Sequence, residues 1–168
     1  MIKAVGAFMI VSAFFLWGRS RAEELKAHAR LLSALLSSLE LIRSEVTARL
    51  TPIPEIAERL AASGPGETRE FFGRLGAELT ALGEREFSEI WSSCAAELKL
   101  REDELSALAD AGRSLGRYGV REQDAALSRC MEILGAAAAD ARAEAAGGGR
   151  LWTGLGITAG LILAVALL

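Results

Sequence analysis

The chain has 168 residues, with 19 Lys+Arg against 22 Asp+Glu, a net charge of −3 and 51% hydrophobic residues, a length that fits one or two compact units. No charge stands between Ala4 and Gly18 or after Arg150, so 18 bases and all 22 acids fall in residues 19–150, a middle segment of net −4. That weakly acidic middle excludes a generic nucleic-acid binder, which needs a basic face against phosphate, and its patterned apolar residues exclude a disordered chain.

Residues 1–18 read as a transmembrane anchor. The uncharged core from Ala4 to Gly18 is short, but Lys3 can snorkel and extend it. The alternative is a cleaved signal peptide, with Lys3 as its basic head. Against that, Phe14-Phe15-Leu16-Trp17 offers no small-residue cleavage site, and a helical pattern begins at once.

Residues 19–150 read as one helical bundle, rich in Ala, Leu, Glu and Arg, which favour helices. Leu32, Leu35, Leu36, Leu39, Ile42 and Val46 step by three and four along one face. This first helix can continue straight from the anchor. It should stop before Pro52, because the residue ahead of a proline avoids the helical region. Thr51-Pro52-Ile53-Pro54-Glu55 restarts the chain, with Thr51 as cap and Pro52 at the first helical position. A short helix over 53–62 would bury Ile53, Ile56, Ala57 and Leu60, and Ser63 to Gly66 is a loop.

A third helix carries Phe72, Leu75, Leu79 and Leu82, with Gly83 ending it. A fourth carries Phe87, Ile90, Trp91, Cys94 and Leu98. A fifth carries Leu105, Leu108, Ala109 and Leu115, with Gly116 as its cap. A sixth starts near Val120, carries Leu127, Met131 and Leu134, and continues through an Ala-rich stretch to Ala146. Gly147 to Gly149 should break it from the apolar tail. About 130 residues can bury enough apolar area to fold without metal or disulfide.

Residues 151–168 read as a second transmembrane helix. Eighteen uncharged residues span roughly 27 Å, just enough for a hydrocarbon core of about 30 Å. Arg19, Arg21, Lys26 and Arg30 come after the first span, and Arg142 and Arg150 precede the second. Cationic flanks stay inside, which places the middle domain in the cytoplasm and both termini across the membrane. Gly156 and Gly160 lie four apart, so they share a helical face that permits close helix packing in lipid.

No catalytic, cofactor-binding or metal site is expected. The lone His28 cannot build a His-rich metal site and reads as part of a solvated face. Glu102-Asp103-Glu104 suits a helix N-terminus. No phosphate-binding loop or nucleophile elbow is present. Cys94 and Cys130 form no redox or metal motif and read as reduced, buried core residues. Phe72 and Trp91 read as core.

Taken together, these pieces resemble the stage III sporulation protein AB family of endospore-forming bacteria over nearly the whole chain. The resemblance runs through the anchor Ile2 to Gly18, the helix from Leu35 to Glu45 and the proline-bearing segment Thr51 to Ala61. It continues through Phe71-Phe72, Leu75, Leu79 and Trp91, then Leu115 to Gln123, and ends on the apolar tail with Leu155, Gly156 and Gly160. One departure is the turn before Gln123, where Tyr118-Gly119-Val120 stands in place of the family's acidic residue. The third to sixth helices also resemble cytoplasmic domains of type II secretion and type IV pilus platform proteins.

The resemblance implies a non-enzymatic membrane component of the secretion-like channel complex joining mother cell and forespore. It implies the mother-cell membrane that surrounds the forespore as location, with the main domain in the cytoplasm. The implied partners are membrane lipid, a secretion-type ATPase (stage III sporulation protein AA) and other membrane proteins of the complex, with self-association left open. Competing with this platform reading are a membrane-anchored regulator that binds a soluble partner outside any secretion system, and an enzyme built on an unrecognised constellation.

Overall fold

The computed structural model describes residues 2–79, 85–115 and 119–167. Among them every regular element is helical. Six α-helices run in order: α1 (Ile2–Ser44), α2 (Ile53–Ser63), α3 (Arg69–Leu79), α4 (Phe87–Ala95), α5 (Glu102–Leu115) and α6 (Val120–Leu167). A π-helical turn, Glu45–Arg49, extends α1, and a 3₁₀ turn, Gly66–Thr68, leads into α3. The expected all-α class therefore holds.

The chain divides into two compact units, Arg30–Ala138 and the paired ends Met1–Ala29 with Ala139–Leu168. The long helices α1 and α6 each contribute to both.

In the middle unit, Leu32, Leu35, Leu39, Ile42 and Val46 of α1 are buried as the three-and-four spacing requires. Ser38 on the same face is buried too. Its hydroxyl donates to the Ala34 carbonyl at 2.9 Å and meets the Thr68 hydroxyl at 3.2 Å, so neither buried group is left unpaired. Helices α2 and α3 pack together through Ile56, Ala57, Leu60 and Phe71, Phe72, Leu75, Leu79. α3 also packs on α4, and α4 on α5.

An aromatic cluster joins α3 and α4. The rings of Phe71 and Phe72 meet edge to face at 4.7 Å, and those of Phe71 and Trp91 at 5.3 Å. Both arrangements match the attraction of positive ring edges to negative faces. Trp91 is fully buried, and its Nε1–H donates to the Leu108 carbonyl at 2.8 Å. Thus Phe72 and Trp91 are core residues, as their positions in apolar stripes imply.

Four local expectations need correction. Thr51 does not cap α2: Pro52 is the N-cap residue, and the Thr51 hydroxyl is taken by Glu45 at 2.8 Å. The fourth helix ends at Ala95, short of Leu98, because Glu97 and Leu98 donate to carbonyls three residues back and tighten the turn. The buried face of α5 is Glu104, Ala107, Leu108, Ala111, Gly112 and Leu115, while Leu105 and Ala109 are only half-buried. Small residues there allow α4 and Trp91 to approach closely. Finally, Gly147 to Gly149 do not break the helix, since α6 runs through them without interruption. Each glycine costs about 1 kcal/mol against alanine in a helix interior, and the good helix formers on one side and the apolar run on the other outweigh it here.

In the end unit, Ala22 and Ala29 are buried seven residues apart on one face of α1, and Ala141 is buried on α6. Lys26 pairs with Glu23 at 3.3 Å on the exposed side. The expected spans, 1–18 and 151–168, lie largely outside the residues whose side chains are described. Among the described residues, no helix is long and apolar enough to cross a membrane. The expected stops at Gly83 and Gly116, the core position of Leu82 and the turn residue Tyr118 also lie outside the described residues.

Candidate functional site

The most constructed polar site lies where α1 ends. Glu45 is 4% exposed, a position where a carboxylate persists only if paired. Its Oε1 accepts from Arg49 Nη1 at 2.9 Å and from Arg59 Nη1 at 2.8 Å, and its Oε2 accepts from the Thr51 hydroxyl. The Thr51 hydrogen bond, together with the two guanidinium charges, holds the Glu45 carboxyl below its ordinary range against the opposing effect of burial. The Glu45 carbonyl meanwhile accepts from the amides of both Leu50 and Thr51. One residue therefore ties the end of α1, the adjoining turn and α2 together.

That clamp forces Leu50 into the left-handed region, with φ 53° and ψ 34°. The chain then reverses into Pro52. Leu50 is 70% exposed, and Pro52 and Pro54 are exposed beside it. The i, i+4 spacing of Glu45 and Arg49 was legible in the sequence; the role of Arg59, fourteen residues on, was not.

A second candidate is a groove of about 490 Å³ between α5 and α6, with Ala107, Ala126 and the buried Cys130 among its lining residues and Ile133 45% exposed. Arg113 and Arg129 also line it. Arg113 is engaged by Asp110, whereas Arg129 has no acidic partner among the described residues. Burial pushes the Cys130 thiol up to about 12, so it is a neutral thiol and no nucleophile at physiological pH.

Elsewhere the polar residues serve the fold. Arg43 holds Asp124 across from α1 to α6 at 2.5 Å, keeping that carboxyl low mainly through this hydrogen bond. The third acid of the 102–104 run is fully buried. Glu104 Oε2 accepts the Arg101 amide at 2.7 Å, the reciprocal half of a capping box. His28 is half-buried rather than solvated. Cys94 and Cys130 are both free and buried. Among the described residues no group of His, Cys, Asp and Glu could hold a metal.

Comparison with protein families matches residues 3–168 to stage III sporulation protein AB. The chain belongs to that family. Comparison with curated proteins and with solved structures returned no match. The family match extends over both units and over the Glu45 clamp, the proline turn and the α5–α6 groove alike. It places this family member in stage III of sporulation.

Proposed function

We propose that the chain is a membrane-anchored platform of the channel complex between mother cell and forespore, and that it docks the secretion-type ATPase stage III sporulation protein AA. The observation that carries this reading is the family match over residues 3–168. Three features support it. The two apolar ends, with Lys3 the one charged side chain between them, are each suited to the bilayer. The arginines flanking them favour a cytoplasmic middle domain in the mother cell. The polar clusters of that domain serve structure, consistent with an adaptor that carries out no catalysis.

In this reading residues 1–18 and 151–168 hold the chain in the mother-cell membrane around the forespore. The helical middle presents protein-binding surfaces to the ATPase and to other membrane proteins of the complex. Co-purification of the detergent-solubilised full chain with the ATPase tests it. Stoichiometric recovery of the ATPase is expected. A chain that recovers none, with the ATPase folded and active, sinks the platform reading.

A further inference from the structure

Glu40 on α1 and Arg129 on α6 are both exposed, and neither has a counter-charge among the described residues. Each stands on an open helix face. On α1 that face is Ser33, Ser37, Glu40 and Ser44, with Ser33 half-buried and the others exposed. On α6 it is Ala125, Arg129, Glu132 and Ala136, all exposed. Both sets step by four, three and four, the spacing of a seam along which two helices pack. All of these residues belong to the unit Arg30–Ala138.

The two faces match when laid antiparallel. Glu40 then meets Arg129, Ser44 meets Ala125, Ser37 meets Glu132 and Ser33 meets Ala136. Unlike charges come together, no like charges face each other, and every other level has a small side chain on at least one side. Within one molecule the faces stay open, because α1 and α6 are joined through Arg43 and Asp124.

A shared membrane fixes the heights at which two copies can meet. α1 and α6 both continue from the middle unit into the end unit, one through its N-terminal part and the other through its C-terminal part. In neighbouring copies they therefore run antiparallel, as the match requires. The Arg43–Asp124 pair marks a common level. Glu40 lies three residues from it toward the end unit and Arg129 five, roughly 4.5 and 7.5 Å along the helices. The two charges thus differ in height by about 3 Å, which side chains of this length span. Two α6 faces are the poorer match: side by side in one membrane they run parallel and set Arg129 against Arg129.

We propose that the α1 face around Glu40 of one copy docks on the α6 face around Arg129 of the next, so that the chain self-associates laterally in the membrane. This rests on the anchoring of both ends proposed above and not on the ATPase. Because the two faces differ, the contact is heterologous, and copies add in a row or close into a ring.

The test reconstitutes the full chain in liposomes as two differently tagged forms, one with Ser44→Cys and one with Ala125→Cys. The parent chain, whose Cys94 and Cys130 are buried, is the control. Mild oxidation should join the two forms to each other and neither form to itself. Glu40→Arg in the first form, or Arg129→Glu in the second, should slow this cross-linking roughly tenfold, since a like-charge contact replaces an attraction. Both reversals together should restore it. A folding defect would not be rescued in this way, because the two changes stand in different molecules.

No cross-linking between the forms, with both retained in the vesicles after an alkaline wash, would overturn this inference and leave the anchoring intact. Equal joining of each form to itself, or a yield blind to both charge reversals, would overturn it too. In sporulating cells, cross-linking of Ala125→Cys to another protein and not to Ser44→Cys would give the face to that partner and reject self-association. Release of the chain by the alkaline wash would remove the anchoring, and this inference with it.

Discussion

The indole of Trp91 occupies the space that a β-carbon would need at Gly112. An alanine there would overlap ring atoms Cδ1 and Cγ, and the ring is pinned by its hydrogen bond to Leu108. The glycine thus serves the packing of α4 on α5. It is not a helix terminator, since it lies inside α5.

Gly112→Ala should therefore destabilise the protein by about 1–3 kcal/mol, the usual cost of overpacking, although alanine is the better helix former by about 1 kcal/mol. Trp91→Ala should cost about 3–5 kcal/mol. In the double variant the penalty of Gly112→Ala should vanish, because the ring that the added methyl would strike is gone. Denaturant unfolding of the four proteins measures this cycle, and additive losses would refute the contact.

Stability should fall in acid through the Glu45 clamp. The Glu45 carboxyl is held below its ordinary range in the folded protein. Its contribution is therefore complete above the unfolded-state value and is lost as pH falls through the folded-state value. Asp124, lowered by Arg43, acts in the same direction. Glu45→Gln should flatten the acid limb of the melting temperature against pH, and an unaltered limb would remove Glu45 from the account.

Both native thiols should resist modification in the folded protein. Burial raises the Cys94 thiol, with Glu78 adding to the effect, and pushes Cys130 up to about 12. A thiol reagent at mildly alkaline pH should label neither residue until denaturant is added. Rapid labelling of the native protein would mean that one of these helix faces opens readily.

The proposed orientation can be read from a single cysteine placed between Ser63 and Gly66, in a chain lacking Cys94 and Cys130. A membrane-impermeant reagent should leave it unlabelled in intact cells and label it after lysis. Labelling before lysis, with a cytosolic control untouched, would put the domain on the opposite side.

Composition and periodicity determined the helical class, the buried face of α1 and the core placement of Phe72 and Trp91, and the prolines marked the break after α1, although Pro52 caps α2 instead of standing at its first helical position. Each depends on residues close in sequence, where a spacing of three or four fixes which side chains share a face. Order and composition together also carried the family resemblance. What only the tertiary structure decided depends on partners distant in the chain. Arg59 reaches back to one carboxylate oxygen of Glu45, and the other oxygen takes the Thr51 hydroxyl that would otherwise cap α2. Trp91 needs a bare backbone at Gly112, which rotates the buried face of α5 toward its small residues. Gly147 to Gly149 of α6 stay helical because local propensity is worth about 1 kcal/mol per residue and is overridden by context. The left-handed Leu50 goes against the ordinary preference of leucine: the Glu45 carbonyl collects two amides at once as the helix ends.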